Sequence, residues 1–453
     1  MRKDKPCYRC QACGAESSRW VGRCPDCGEW NTLVEEWQSA GNGRAERHGY
    51  GDDATRIYAG DDVAVTSETY VPIGISELDR VLGGGVISGA VILIGGDPGI
   101  GKSTLLLQAL ARLASDDVLR GLYVTGEESP RQVVLRARRL GLSTAHLRLL
   151  AHTRVETILQ LAAQEQAQVL VVDSIQTVHT DVIQSAPGGV AQVRESAAQL
   201  VRFAKRSGTT LFLVGHVTKD GALAGPRVLE HMVDTVLYFE SHDNTRFRAV
   251  RATKNRFGTV NELGIFAMTE TGLREVKNPS SIFLSRHGES IPGSAVTVTR
   301  EGTRPLLLEV QALLDESQLA NPRRVALGLD GNRLAMLLAV LNRHGGIPTH
   351  HQDVFVNVVG GIRVTETAAD LSVLAAALSS LRNRPIERGL VTFGEIGLAG
   401  EVRPVANGEE RLREASKHGF NRAIIPKANA PRGACDGIEV FPVARLSEAL
   451  DLI

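Results

Sequence analysis

Cysteines in pairs, a glycine-rich octapeptide and two closely spaced cations carry the chemistry legible in this 453-residue chain. Five of the six cysteines fall within the first 27 residues. Cys10-Gln-Ala-Cys13-Gly14 is followed, after ten residues, by Cys24-Pro-Asp-Cys27-Gly28. Two CxxC pairs suit one tetrahedral zinc ion held by four thiolates. A glycine after the second cysteine permits the positive φ of a tight turn that aims backbone N–H groups at sulfur. Cys7 and Cys10 also form a CxxC, but Gly14 and Gly28 select Cys10, Cys13, Cys24 and Cys27 as ligands and leave Cys7 spare. Four thiolates leave no open position, so Zn²⁺ here is structural. The first 35 residues are too few to bury a sufficient core, and metal has to supply folding energy on the order of 10 kcal/mol. Trp20 and Trp30 are expected to pack into that small core rather than to touch a base or a partner.

Gly96-Asp97-Pro98-Gly99-Ile100-Gly101-Lys102-Ser103, followed by Thr104, fits the phosphate-loop pattern GxxxxGK[ST] in full. The short apolar run Ala90–Ile94 before it reads as a buried strand, and Leu105, Leu106, Gln108, Ala109 and Leu110 after it begin a helical pattern. Strand, glycine loop and helix in that order make the match specific. The glycines let N–H groups turn onto phosphate, and the helix N-terminus adds partial positive charge. Lys102 is expected to reach the β- and γ-phosphates of ATP, and Ser103 to ligate Mg²⁺. VLVVDS (169–174) is a second apolar strand, delivering Asp173 at its C-terminal end, where it would help hold Mg²⁺. GLYVTGEES (121–129) ends in two carboxylates, one of which is placed to orient an attacking water. TLFLVGHVT (210–218) ends in His216, which either senses the γ-phosphate or is a plain polar strand-end residue. In TKNRFGT (253–259), Lys254 and Arg256 lie two apart in a strand-like stretch, so both point to one face.

Around these residues, the length suggests about three domains at roughly 150 residues each. Hydrophobic residues are 43% and charged residues 23%, an ordinary globular balance. Lys plus Arg equals Asp plus Glu, 51 against 51, so a nucleic-acid partner has to meet local basic patches. The start has no apolar h-region, and no apolar run approaches the roughly 18 residues of a membrane span. Clustered cysteines suit metal binding in a reducing cytoplasm better than a disulfide framework. Residues 38–62, rich in Gly and charge, read as linker. The expected domains are 1–35, a four-cysteine zinc finger; 36–66, a linker; 67–275, an α/β nucleotide-binding core with a mostly parallel sheet; and 285–453.

The core, with GDPGIGKST, VVDS and VTGEE, resembles the RecA-type ATPases. With the CxxCG–CPxCG finger, KNRFG and the C-terminal part, the whole chain resembles the bacterial RadA (Sms) family of RecA-like DNA repair ATPases. The resemblance makes Glu127 the better candidate for the catalytic carboxylate and Glu128 the fallback. It also implies that Lys254 and Arg256 face a neighbouring subunit's nucleotide, with contact to the DNA backbone as the other role for this pair. The loops 180–196 and 218–227, the latter carrying Lys219 and Arg227, are implied to grip single-stranded DNA. "GEIGLAGEVRPV" and "HGFNRAIIPK" resemble the proteolytic domain of Lon proteases, an α+β fold. There the serine position is Ala368, and the lysine position, counted from Pro404, is Glu409. No peptidase activity is therefore expected. The domain is expected to fix a hexameric ring, and it offers Arg323, Arg324, Arg343, Arg382 and Arg384 to DNA. The implied function is a DNA-dependent ATPase of recombinational repair that drives branch migration and helicase-like translocation. The alternative is a nucleotide-gated scaffold that loads other repair proteins without translocating. Implied partners are single-stranded and branched DNA, a RecA-type recombinase or other repair proteins, and further copies of the chain; no membrane contact is implied, and the location is cytoplasmic.

Overall fold

The computed structural model describes residues 6–10, 15–17, 19–37, 69–115, 119–215, 228–241, 246–284, 290–319, 321–361, 363–433 and 437–453. Two compact units result, Met1–Val276 and Lys277–Ile453. The first residues form a small three-stranded antiparallel sheet in the order Glu16–Ser17, Pro6–Cys10, Leu33–Trp37. Among the described residues of this N-terminal part, Cys10, Cys24 and Leu33 are the buried ones. Trp20 and Trp30 are not core residues: they are 55% and 68% exposed. The sheet is too small to cover two indoles, and the two side chains flank Gly22 on the outside.

A nine-stranded sheet dominates the first unit. Val91–Gly95 lies near its centre, between Thr210–Val214 and Thr235–Ser241. Beyond Thr210–Val214 come Val169–Asp173, Gly121–Thr125 and Arg148–Ala151, and all six of these strands run parallel. On the other side, Phe247–Asn255, Leu263–Thr269 and Gly272–Glu275 extend the sheet antiparallel. The central strands are continuous runs of Val, Ile and Leu because both faces are covered. One face packs on the helix Lys102–Ala114 through Leu105, Leu106 and Leu110. The other packs on Val155–Gln164 and Val190–Ser207 through Ile158, Val193 and Leu200. Parallel strands put all their C-terminal ends on one edge, and that edge collects the phosphate loop, Glu127 and Asp173.

The second unit is α+β. Its seven-stranded mixed sheet runs Arg324–Leu327, Gln352–Val358, Arg304–Glu316, Ser294–Glu301, Leu390–Thr392, Arg422–Pro426, Glu439–Val443. The helices Gly331–Gly345, Asp370–Leu381 and Gly408–Lys417 cover it. No helix of the described residues is long and apolar enough to cross a membrane.

Candidate functional site

The phosphate loop turns because three of its glycines take φ values that other residues rarely adopt: +145° at Gly96, +76° at Gly99 and +123° at Gly101. Gly96 has a second constraint, since a Cβ there would come 2.8 Å from Phe239 Cβ on the adjoining strand. Asp97, Pro98 and Gly99 are exposed at the tip, and Ile100 plugs into the core below. Lys102 begins the helix and is 4% exposed. Its Nζ donates to Gly96 O at 2.6 Å and Asp97 O at 2.8 Å, folding back over the loop that would cradle phosphate. Burial pulls the Lys102 pKa below its ordinary value, while Asp173, Asp97 and Glu127 push it back up. An ammonium held by two carbonyls and three nearby acids is a fitting counterion for a nucleotide's phosphates. Ser103 and Thr104 follow, half-buried, on the first helical turn.

Two carboxylates face that ammonium. Asp173 ends its strand and accepts a hydrogen bond at Oδ2 from Tyr123 Oη. Glu127 follows Gly126, whose bare Cα is required: a Cβ would come 2.0 Å from Thr177 Oγ1. This close approach, with Gly126 N donating to Asp173 O at 2.9 Å, brings the two strand-end loops together. Ser174 Oγ then donates to Glu127 Oε1 at 2.8 Å. Glu128 turns the other way and pairs with Arg136. The turn between them ends in a capping box, in which Ser129 and Gln132 cap the helix Pro130–Arg139 and fix where Arg136 stands. Tyr123 and Ser174 are the contributors that motif reading misses. A tyrosine inside an aliphatic strand is the one local signal for the first; the second is a serine like any other until the loops meet.

Lys254 and Arg256 occupy the opposite edge. Lys254 lies near the end of Phe247–Asn255, past a bulge at Ala252/Lys254, and Arg256 lies just beyond the strand. Even so, both converge on residues 230–234. Lys254 Nζ donates to Glu230 O and Val233 O, each at 2.6 Å, and Arg256 Nη1 meets Asp234 Oδ1 at 3.3 Å. Burial first and the Arg256 charge second hold the Lys254 pKa low. Asp234, 3% exposed, also takes Lys205 and the Val91 N–H. Register fixes the separation from this protomer's own phosphate loop. Arg256 N bonds Asp234 O, and Asp234 N bonds Val91 O, which puts Arg256 level with Val91. Gly96 is five residues further along, about 16 Å at ~3.3 Å per residue. No arginine side chain spans that distance together with the strand between, and Lys254, level with Leu93 through Val236, turns its Nζ back onto Glu230 O and Val233 O, so neither cation is set on the phosphate loop of its own chain. Arg256 remains 61% exposed at the side chain.

In the N-terminal sheet the Sγ atoms of Cys10, Cys24 and Cys27 all lie within 4.8 Å of one another. Cys10 and Cys27 are 3.7 Å apart, against about 3.8 Å for two sulfurs on a tetrahedral ion with ~2.3 Å bonds. The two turns match, with Cys10 N bonded to Ala15 O and Cys24 N to Glu29 O, each at 2.8 Å. The donor set fits zinc. Cys13 lies outside the described residues, as do His216 and the loop 218–227. Of the other loop, residues 190–196 are the start of the helix Val190–Ser207. Gln192 pins the rest, its Nε2 donating to Thr180 O, Ile183 O and Ser185 O.

The second unit holds no serine–lysine pair at the positions considered. Ala368 is fully buried. Glu409 points outward and pairs with Arg413 one turn on. Two residues along the same helix, Arg411 is fully buried, pairs with Glu366 and donates to Val298 O at 2.7 Å. A count from Pro404 gives the position but not the side of the helix. The residue turned inward is a guanidinium, which stays protonated and cannot act as a base. Arg324 is also committed, to the carbonyls of Gln352 and Thr349.

Comparison with known proteins assigns three parts of the chain. Residues 70–222 match the model of an AAA domain, residues 8–35 a rubredoxin metal binding domain, and residues 335–429 the subunit ChlI of Mg-chelatase. Over 453 aligned residues the chain is 61% identical to the DNA repair protein RadA of Pseudomonas aeruginosa, covering 100% of both. It is 55% identical to the RadA of Escherichia coli K12, covering 99% of this chain and 98% of the relative. For the RadA of Bacillus subtilis 168 the identity is 48%, with 99% of each covered.

Proposed function

The chain belongs to the family of the DNA repair protein RadA, and on that premise we propose that it is a DNA-dependent ATPase of recombinational repair, working as a ring that moves along single strands and drives branch migration. The observation that carries the reading is the separation of Lys254 and Arg256 from the phosphate loop of their own chain. A cation pair that is useless to its own nucleotide, yet has one member largely exposed, is suited to a neighbour's. An arginine supplied in trans is worth about 10³–10⁵ in phosphoryl-transfer rate.

ATP enters the loop Gly96–Ser103, and Lys102 exchanges the carbonyls of Gly96 and Asp97 for phosphate oxygens. Ser103 and Asp173 would hold Mg²⁺, which, when bound, neutralises charge building on the phosphates. Glu127, held by Ser174, orients the attacking water and takes its proton. Lys254 and Arg256 of the adjacent copy complete the charge around the γ-phosphate. Loss of that phosphate loosens the interface, and the loops 180–189 and 218–227 shift along the DNA backbone, gripping it without reading sequence. Zn²⁺ on Cys10, Cys13, Cys24 and Cys27 keeps the N-terminal module folded for a protein partner. The second unit assembles the ring and does no peptide chemistry. The motor works in the cytoplasm, where its DNA is.

The test is strand displacement. Purified protein should hydrolyse ATP faster with single-stranded DNA and displace an annealed strand, and Lys102→Ala should do neither. Unstimulated turnover with no displacement by the wild-type protein rejects the motor.

A further inference from the structure

Tyr123 is a phenol in an aliphatic core. It is 1% exposed and belongs to the buried cluster that includes Leu106, Leu110, Val133 and Val171. A phenylalanine would fill the same space with no polar atom to satisfy, whereas a buried hydroxyl must find a partner. Its partner is Asp173, whose Oδ2 accepts from Tyr123 Oη. The contact is built into the sheet. Tyr123 is opposite Val171, and Thr125 is opposite Asp173, on adjacent parallel strands. Side chains two apart share a face, so the phenol lies along the diagonal toward Asp173, across about 6.6 Å of strand rise, which a tyrosine side chain covers.

A carboxylate at a strand end has a free torsion and can present either oxygen, or both, to a cation. A donor fixed in the core removes that freedom. The neighbouring acids have other partners: Glu127 accepts from Ser174 and Glu128 pairs with Arg136. We propose that Tyr123 is the positioning residue of the metal site: it holds Asp173 Oδ2 so that Oδ1 alone is presented toward the metal beside Lys102. This rests on the reading that Asp173 serves Mg²⁺. The phenol does not touch nucleotide or metal and acts only through Asp173.

Binding, not turnover, tests it. A methylanthraniloyl-labelled ADP is titrated onto the full-length protein in EDTA and then across a Mg²⁺ series, for wild type, Tyr123→Phe, Asp173→Asn and the double variant. Tyr123→Phe should keep the wild-type affinity in EDTA, which also shows that the fold is intact. Its half-saturating Mg²⁺ should rise roughly tenfold, the scale of one hydrogen bond to a charged group. In the Asp173→Asn background the same change should do nothing more. Wild-type Mg²⁺ dependence in Tyr123→Phe, with the dependence lost in Asp173→Asn, overturns the role of Tyr123 and leaves the Asp173 reading standing. Wild-type dependence in Asp173→Asn overturns that reading, and the positioning role with it. Equal, additive losses in both backgrounds, or weakened binding in EDTA, mark Tyr123 as a packing residue and overturn the proposal.

Discussion

Adjacent glutamates at one strand end are chemically alike, and only their partners separate them. Glu127 contributes charge to Lys102 and accepts from Ser174, whereas Glu128 is tied to Arg136. Glu127→Gln should therefore cost about 10²–10⁴ in kcat, the span of a lost general base, with nucleotide affinity kept. Glu128→Gln should leave turnover near the wild-type value, since an ion pair with both side chains partly exposed contributes only about 1 kcal/mol or less. Steady-state ATPase assays with a nucleotide-binding control decide between them, and the reverse ranking would move the base to Glu128. At this scale, residues whose meaning is local are legible in the sequence. Gly96 to Ser103 announce a phosphate loop because loop, charge and helix start are contiguous. Asp234 announces nothing. It gathers Lys205, Arg256 and the Val91 amide only after a helix and strands remote in sequence have been laid side by side. Trp20 and Trp30 mislead for a related reason: an indole reads as core, and whether a core exists to receive it depends on the size of the sheet.

Elements differ in what holds them together. The strands Val91–Gly95 and Val169–Asp173 are buried along almost all their length and need no ligand to persist. Among its described residues, the N-terminal sheet buries Leu33 and two of the three clustered cysteines, Cys10 and Cys24. Chelation, or Cys24→Ser with Cys27→Ser, should then unfold residues 1–35 alone, leaving ATP binding by the core intact. Zinc content by atomic absorption, with proteolysis of the N-terminus, reads this out, and full-length protein free of zinc yet protected would reject the four-thiolate site. The helix Gly408–Lys417 gives a second contrast. Arg411 has its charge buried against Glu366 and its other N–H groups on the carbonyls of Val298 and Ala406. Arg411→Ala takes a donor from each of these acceptors, although Glu366 Oε2 keeps Thr299 Oγ1 and the Arg300 amide, and should destabilise the second unit by about 2–3 kcal/mol in denaturant unfolding. Glu409→Ala, on the exposed face, should change nothing measurable. The parallel sheet and its order of motifs are legible from alternating apolar runs. The orientation of this helix is not, because Glu409 and Arg411 are both charged and only burial distinguishes them.

For the whole molecule, what matters is whether one chain contains a complete site. The sheet answers in its geometry: parallel strands gather Lys102, Glu127 and Asp173 at one edge, and the antiparallel extension carries Lys254 and Arg256 to the other. Within one protomer those groups stay apart, which is why the proposed site calls on a second copy. The pair meanwhile rests on its own chain, Lys254 on carbonyls and Arg256 on Asp234, which orients both without covering the exposed arginine. Either cation changed to Ala should leave the protomer folded and cut turnover strongly. Mixing Arg256→Ala protein with Lys102→Ala protein is the decisive measurement. Interfaces between an intact phosphate loop on one copy and an intact cation pair on the next then form again, and ATPase should partly return. If both groups served one site within one chain, no mixture could restore it, since every chain lacks one of them. Failure of rescue, with subunit exchange shown by energy transfer between labelled copies, would end the trans assignment. Arg256→Ala with full ATPase but lost DNA binding would instead place the pair on the DNA backbone.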